Sequence, residues 1–384
     1  MSHASSTAKD LYRRLARHLD RLPGGFPPTP DGVELRILRR LFTEAQAELA
    51  LALTVIPEEA RVVARRAGIS PAEAGRRLGE LASRGLAFSL ERPGKPPLYM
   101  AAQFAIGIWE YHVNDLDPEL VRDVNAYIPH LFDPETWARA PQLRTVPVGR
   151  SVPLEHPILP HEEAEALVRR QKRLLVAPCI CRREHRIAGK GCDRLEEACL
   201  VFGAGADYYE RNGLGRRIGA DEAVAILRRA DAEGLVLQPS NAQNPVNICC
   251  CCGCCCQVLL NVARHPRPGA LVSSPFRAAL DAEACAGCGA CLPRCPMGAL
   301  SEAAGGGAPR LDPDRCIGCG LCVSSCPAGA LTLVRKPRAE QRPVPRTVTE
   351  AALRLGRVRG TLTPARLAWT ALRSKVDRLL AGGR

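Results

Sequence analysis

The chain has 384 residues, of which 46% are hydrophobic, 24% are charged and 19 are cysteine, and its net charge is +13. Its longest mostly apolar run, residues 49–56, is far shorter than the roughly 20 residues that cross a bilayer, so a membrane-spanning protein is not expected. The charged N-terminus has no apolar leader, which predicts a cytoplasmic protein whose cysteines are metal ligands or catalysts rather than disulfides.

The first 105 residues have the pattern of a winged helix-turn-helix domain. Apolar residues at helical spacing, with Asp31 and Ser70 as N-caps, predict helices over 8–21, 33–50, 57–68 and 71–84. Two short strands joined by a Pro- and Gly-rich turn follow and are predicted to form a hairpin over 86–102. Helix, helix, tight turn, helix and two-stranded wing is the element order of that fold.

This N-terminal domain has two functional interpretations. Helix 71–84 would lie in the major groove of DNA, since six arginines against two glutamates give residues 61–84 a local charge of +4. Residues 1–150 as a whole, however, balance 20 Lys and Arg against 18 Asp and Glu. We therefore favour a protein-interaction or packing module and keep DNA binding as the alternative.

Residues 106–270 are predicted to form a helical segment rich in cysteine. Helices are expected over 161–172 and 222–233, the second capped by Asp221. Eleven cysteines lie here, four of them spread along the chain and seven packed into positions 249–256. Adjacent cysteines rarely reach disulfide geometry, and soft thiolates at this density favour zinc, Cu(I) or iron–sulfur chemistry.

Three arrangements of these cysteines are open. Cys192 and Cys199 are seven residues apart, two helical turns, and would complete a site with Cys179 and Cys181 if they share one helix face. A mixed site would instead combine Cys179 and Cys181 with the 249–256 run, and free thiols are the third interpretation. We favour an extra iron–sulfur cluster over zinc, because eight further cysteines of the same chain also indicate iron–sulfur clusters. The predicted ligands are Cys179, Cys181, Cys192, Cys199, Cys249, Cys251, Cys252, Cys254, Cys255 and Cys256.

Three residues that follow Cys181 have alternative roles. Arg182 and Arg183 either donate to cluster sulfurs and offset a cluster's negative charge, or are ordinary solvated arginines. His185 is a candidate metal ligand, although a solvated or backbone-bonded histidine is the commoner case.

The C-terminal cysteines form an internal repeat. The spacing C-x2-C-x2-C-x3-C-P occurs at Cys285–Pro296 and again, 31 residues later, at Cys316–Pro327. Three closely spaced thiolates can wrap one face of an iron–sulfur cube, and the intervening glycines let the loop turn and direct backbone N–H groups at sulfur. Zinc is the alternative for four thiolates, but zinc motifs do not carry this four-cysteine-plus-proline repeat.

These runs resemble those of bacterial two-cluster ferredoxins over about residues 275–334. That resemblance implies two 4Fe–4S clusters, with the fourth cysteine of each run ligating the cluster of the other run. The implied ligand sets are Cys285, Cys288, Cys291 and Cys326 for one cluster, and Cys316, Cys319, Cys322 and Cys295 for the other.

Over about residues 150–334 the chain also resembles a family of bacterial and archaeal 4Fe–4S proteins. The matching stretches are 177–182, which contains Cys-x-Cys-Arg, then 219–223, and then the Asn-x-Cys-rich run 247–256 before the two-cluster domain. The resemblance implies iron–sulfur electron transfer and allows an additional metal centre.

The tail holds most of the positive charge, with 13 Lys and Arg against three Asp and Glu over residues 335–384. A Pro-rich linker precedes a helix that begins at Thr363-Pro364. We favour a helix packed on its own protein, with membrane-surface or partner-helix binding as the alternative. Its apolar stripe comprises Ala368, Leu372, Val376, Leu379 and Leu380.

The sequence thus predicts an α+β multidomain protein with a winged helix-turn-helix at 1–105, a cysteine-rich segment at 106–270, a two-cluster ferredoxin-type domain at 271–334 and a basic linker and helix at 335–384. The expected function is electron transfer with a redox partner protein, as a carrier or as a component of an anaerobic oxidoreductase. A redox- or iron-sensing DNA-binding regulator is the alternative. The sequence identifies no catalytic residue, phosphate loop, dinucleotide fingerprint or small-molecule substrate.

Overall fold

A computed structural model describes residues 2–147, 159 and 161–382. The helices are α1 (Ser2–Asp20), α2 (Val33–Leu41), α3 (Glu44–Ala50), α4 (Ala60–Ala67), α5 (Pro71–Ser83), α6 (Trp109–Tyr111), α7 (Pro118–Leu131), α8 (Pro134–Arg139), α9 (Ala164–Arg169), α10 (Ile180–Ile187), α11 (Gly203–Arg211), α12 (Ala220–Ala232), α13 (Gln257–Arg264), α14 (Pro268–Leu271), α15 (Leu321–Ser324), α16 (Val348–Val358) and α17 (Pro364–Leu380). The strands are β1 (Glu58–Glu59), β2 (Ala87–Arg92), β3 (Lys95–Ala101), β4 (Leu174–Pro178), β5 (Glu197–Phe202), β6 (Arg216–Ile218), β7 (Val236–Pro239), β8 (Asn247–Cys251), β9 (Phe276–Leu280), β10 (Leu300–Ser301), β11 (Arg310–Leu311) and β12 (Leu331–Arg335).

The chain folds into two units. The first comprises residues 1–131, 207–214 and 352–384, and the second comprises 132–206 and 215–351. All 19 cysteines therefore lie in the second unit, while the C-terminal helix belongs to the first unit with the N-terminal region. Among the described residues, no helix combines the length and the apolar character that crossing a bilayer requires.

The first unit contains helices and a hairpin at the places expected from the sequence. Ser70 caps α5 by accepting a hydrogen bond from the Glu73 amide, and β1, β3 and β2 form an antiparallel sheet in that order. Two helix predictions are wrong in detail. Helix 33–50 is divided into α2 and α3, because Thr43 begins a new helix with a capping box, and Gly32 rather than Asp31 precedes α2. The third helix begins at Ala60 instead of Pro57, because β1 pairs with β3. That the domain is a winged helix stays a prediction.

The C-terminal helix α17 contacts the rest of the first unit through a polar face. Ser374 Oγ lies 2.6 Å from Glu58 Oε1, and Arg66 Nε lies 2.6 Å from Asp377 Oδ2. The predicted apolar stripe is instead exposed, with Leu379 73% and Leu380 58% accessible to solvent. Hydrogen bonds and ion pairs therefore hold one side of the helix against the rest of the first unit, and the apolar stripe on the other side faces solvent.

The second unit is built on a five-stranded antiparallel sheet in the order β6-β4-β5-β8-β7. Helices α9 and α12 cover one face with leucine, valine and alanine side chains. Gly219, not Asp221, is the N-cap of α12, and Asp221 lies in its first turn. On the other face, residues of α13 and of the ferredoxin-type region complete a second core.

Candidate metal centres

The ferredoxin-type region places its eight cysteines around two cavities. Strands β9 and β12 pair in antiparallel fashion, β10 pairs with β11, and the cysteine loops lie between them. One cavity is lined by Cys295, Cys316, Cys319 and Cys322. The other is lined by Cys285, Cys288, Cys291 and Cys326. The fold thus groups the cysteines in the two crossed sets that the resemblance implies, and the ligand assignment stays a prediction.

The surroundings of these thiols suit an iron–sulfur group. The amide of Ala278 donates to Cys316 Sγ at 3.3 Å, and that of Ala299 donates to Cys295 Sγ at 3.2 Å, as backbone donors to cluster-ligating sulfur do. Burial, followed by the neighbouring thiols, raises the pKa of Cys322 to about 12 and raises that of Cys319 well above its ordinary value. Thiols so placed ionise together only when a cation offsets their charge, which the iron of a cluster provides. The residues present therefore fit two such groups.

The central sheet brings the remaining cysteines together from three strands. Cys179 directly follows β4, Cys199 lies in β5, and Cys249 of β8 is paired with Cys199 across the sheet. The prediction that Cys192 and Cys199 share a helix face is wrong, since Cys199 is in a strand and Cys192 is in the loop between α10 and β5. A spacing of seven residues fits two helical turns, but it fits a loop followed by a strand equally well. Pairing with β8 therefore decided where Cys192 and Cys199 lie.

Six cysteines form a connected set, which we call the six-cysteine group: Cys179, Cys181, Cys199, Cys249, Cys251 and Cys256. Thiol–thiol hydrogen bonds join Cys179 to Cys181, Cys181 to Cys256, Cys256 to Cys251, Cys251 to Cys249 and Cys249 to Cys199. Asn247 Nδ2 also donates to Cys249 Sγ at 3.4 Å. The mixed arrangement, in which Cys179 and Cys181 meet part of the 249–256 run, is therefore the one that the fold brings together.

Proton sharing divides the six-cysteine group into acceptors and donors. Hydrogen bonds from neighbouring thiols lower the pKa of Cys179 below its ordinary value and hold that of Cys256 well below it. The donor thiols show the reverse, and the pKa of Cys181 is raised well above its ordinary value by its bonds to Cys179 and Cys256. Some thiols of the group therefore lose their protons more readily than an ordinary cysteine, as metal binding requires.

A buried arginine accompanies this sulfur. The Arg182 side chain is 0% exposed, and its Nη2 donates to the Cys250 carbonyl at 2.7 Å. Its Nε and Nη1 are buried and have no hydrogen-bond partner among the described residues. Burial alone would lower the pKa of Arg182, but the nearby thiolates, Cys179 first among them, raise it. A buried, positively charged side chain whose Nε and Nη1 lack hydrogen-bond partners is suited to lie beside an anionic group held by the six-cysteine group.

A separate set, the four-cysteine group, comprises Cys192, Cys252, Cys254 and Cys255, and the four Sγ atoms all lie within 4.8 Å of one another. Cys252, Cys254 and Cys255 occupy the turn between β8 and α13. Arg194 Nη1 lies 3.7 Å from Cys254 Sγ. The contacts of Arg194 and Asn247 with cysteine sulfur were not expected from the sequence. The only sequence signal for them is that each residue lies close to a cysteine along the chain.

Other residues near the cysteines have ordinary partners. Cys250 is buried with the aliphatic side chains of α12 and belongs to neither group. His185 Nδ1 lies 2.8 Å from Glu184 Oε1, and Arg183 Nε lies 2.7 Å from Glu196 Oε1. His185 is therefore held by a carboxylate, and Arg183 forms an ion pair with Glu196.

Comparison with known proteins agrees with the C-terminal geometry. A family model described as a 4Fe-4S dicluster domain matches residues 277–342. No curated protein and no solved structure matches the chain. The fold and the cysteine arrangement define an iron–sulfur binding protein. Its C-terminal region is a ferredoxin-like domain.

Proposed function

We propose that this protein transfers electrons through two 4Fe–4S clusters in its ferredoxin-like domain and a third iron–sulfur cluster in the six-cysteine group. The observation that carries the proposal is that each of two cavities is lined by four cysteines drawn from both sequence runs. Such clusters supply one-electron transfer when bound, at potentials set by net charge, hydrogen bonds to sulfur and solvent exposure. The chain's own part is to provide thiolates, backbone N–H donors and a core that limits access of water.

The third cluster is supported by the number and burial of the thiols. Six connected cysteines exceed the four ligands that one cluster needs, and Cys251 and Cys256 are only 5% and 4% exposed. Cys251 and Cys256 share a core with Met297, Ile317 and Leu321 of the ferredoxin-like domain. The six-cysteine group is therefore packed directly against the region that carries the cavity lined by Cys295, Cys316, Cys319 and Cys322.

The test is iron and sulfide quantitation on the full chain purified without oxygen. Two 4Fe–4S clusters account for about eight iron atoms and three for about twelve. We expect Cys256→Ser to lower the iron content by about four atoms, whereas Cys250→Ala, a buried cysteine outside both groups, leaves it unchanged. A wild-type content of about eight iron atoms, with no change in Cys256→Ser, would remove the third cluster from the proposal. Protein that holds no cluster-bound iron would contradict the function itself.

A DNA-binding regulator is the second candidate, and the charge arrangement weighs against it. Five of the six arginines that suggested a phosphate-facing patch have acidic partners within the first unit. Arg76 lies 2.7 Å from Glu80, and Arg77 lies 3.4 Å from Glu73 on the exposed side of α5. Arg66 is only 5% exposed and pairs with Glu58. The net positive field that steers a protein to phosphates is therefore reduced.

A further inference from the structure

The four-cysteine group has the dimensions of a site for one metal ion. Cys192 Sγ lies 3.9 Å from Cys252 Sγ and 3.7 Å from Cys255 Sγ, and Cys255 Sγ lies 3.8 Å from Cys254 Sγ. Four sulfurs bound to a central zinc ion at about 2.3 Å, at tetrahedral angles, are roughly 3.8 Å from one another. These three of the six separations equal that value to within about 0.1 Å, and the other three are no longer than 4.8 Å.

An iron–sulfur cube does not fit the same four sulfurs. Each thiolate of a 4Fe–4S cluster binds a different iron atom at a separate corner, so the four sulfurs stand farther apart than around one ion. The ferredoxin-like domain shows the wider arrangement, with a cavity between the four cysteines of each set. The four-cysteine group therefore requires a smaller occupant than the clusters of the same protein.

We propose that Cys192, Cys252, Cys254 and Cys255 bind a single zinc ion that holds the α10–β5 loop to the turn between β8 and α13. Tetrahedral sites with four sulfur ligands are typical of zinc, and a closed set of four protein ligands is typical of structural zinc. Three ligands come from one turn, Cys252-Gly253-Cys254-Cys255, and the fourth arrives from a loop about 60 residues earlier. Zinc binding replaces the thiol protons, which are released to solvent.

The electrostatics of the site match a zinc tetrathiolate, whose net charge is −2. Arg194 donates to Cys254, and the buried Arg182 lies near Cys252. The site is thus flanked by positive charge.

The experiment is elemental analysis of the full chain, expressed with both iron and zinc and purified without oxygen. We expect about one zinc atom per chain in the wild-type protein and in Cys250→Ala. Cys192→Ser should lose zinc and keep its iron, whereas Cys288→Ser, a ferredoxin-type ligand, should lose iron and keep zinc. The Cys288→Ser variant distinguishes zinc bound by the four-cysteine group from zinc misincorporated into a cluster site. It also makes failure of the zinc site distinguishable from failure of the proposed function.

A second measurement covers the case in which Cys192→Ser does not fold. Zinc-edge X-ray absorption on the wild-type protein should show four sulfur neighbours at about 2.3 Å. Fully iron-loaded protein without zinc, zinc with nitrogen or oxygen neighbours, or zinc retained by folded Cys192→Ser would each overturn the proposal.

A different observation concerns the exposed face of α17. Trp369, Leu372, Val376, Leu379 and Leu380 fall on one side of the helix at spacings of three and four residues and are 42–73% exposed. The opposite side carries Ser374 and Asp377, whose contacts with Glu58 and Arg66 hold the helix in place. The apolar face is therefore fixed in an outward position.

We infer that this face binds an anionic membrane surface. Arg373 and Lys375 flank the apolar residues along the helix, and α17 has four Lys and Arg against one Asp, so charge complementarity selects a negatively charged occupant. A tryptophan and several leucines bordered by basic residues are typical of helices that lie in the headgroup region. Because no described helix is long and apolar enough to span the bilayer, the contact is interfacial.

The test is co-sedimentation of the full chain with vesicles of phosphatidylcholine alone or mixed with phosphatidylglycerol. We expect binding to the anionic vesicles that weakens as salt is raised and that falls at least tenfold in Leu372→Glu. Val246→Glu, a change at an exposed valine outside the helix, is the matched control and should bind as the wild type does. Equal binding to both vesicles, no binding, or a dimer in solution that Leu372→Glu dissociates would overturn the inference.

Discussion

Gly287 and Gly318 occupy the same position of the two cysteine runs, yet a side chain added at each would meet different surroundings. Both have positive φ, 65° and 68°, so alanine costs roughly 1–2 kcal/mol in backbone strain at either position. At Gly318 a Cβ would also lie 2.2 Å from the Phe276 carbonyl oxygen and 2.7 Å from Ser274 Oγ. At Gly287 the nearest atom would be Gly307 Cα at 3.4 Å, which is ordinary contact.

We therefore expect Gly318→Ala to be the more damaging change. A Cβ at 2.2 Å must force the backbone apart, since real Cβ atoms essentially never lie within 3.0 Å of another heavy atom. Phe276 is fully buried in β9, whose pairing with β12 would be displaced. Overpacking of this kind costs about 1–3 kcal/mol, in addition to the strain that both variants share.

The assay is urea unfolding under anaerobic conditions, followed by the visible absorbance of the clusters. With an m value of about 2 kcal/mol/M, the extra cost lowers the midpoint of Gly318→Ala by roughly 0.5–1.5 M relative to Gly287→Ala. Iron content should fall in the same order. Equal midpoints for the two variants would show that the loop relaxes without disturbing β9, and the reasoning from the close approach would be refuted.

Three further predictions address the ligands, the acid stability and the alternative function. Cys326→Ser should remove the paramagnetic signal of the cluster bound by the Cys285 run, and loss of the other signal would contradict the crossed assignment. Burial alone would raise the pKa of Glu162, but hydrogen bonds from Arg335 lower it below 4.5, so its stabilisation is present above that pH and is lost as the pH falls. Glu162→Gln should accordingly flatten the fall of the urea midpoint between about pH 6 and 3, and an unchanged profile would count against the pair. A gel shift at physiological salt should find no specific DNA site with a Kd below about 10⁻⁸ M, and tighter binding would restore the regulator.

Local sequence was sufficient to predict the C-terminal domain. The spacing of each cysteine run is set by how a short loop wraps a cluster. The two runs, Cys285–Pro296 and Cys316–Pro327, were therefore enough to predict this domain without knowledge of the rest of the fold. Capping worked for the same reason at Ser70, whose hydroxyl accepts from an amide three residues later. Spacing and capping signals of this kind are contained within a few consecutive residues.

The tertiary structure decided how the middle cysteines are divided. Side chains along a strand alternate between faces, so Cys249 and Cys251 of β8 pack with the second core, while Cys250 points to the first. The sequence placed ten cysteines in one set of candidate ligands, but only strand pairing brought Cys199 beside Cys249 and left Cys192 for the turn after β8. The orientation of α17 was equally non-local, because Glu58 and Arg66, more than 300 residues earlier, bind its polar side and leave its apolar side in solvent.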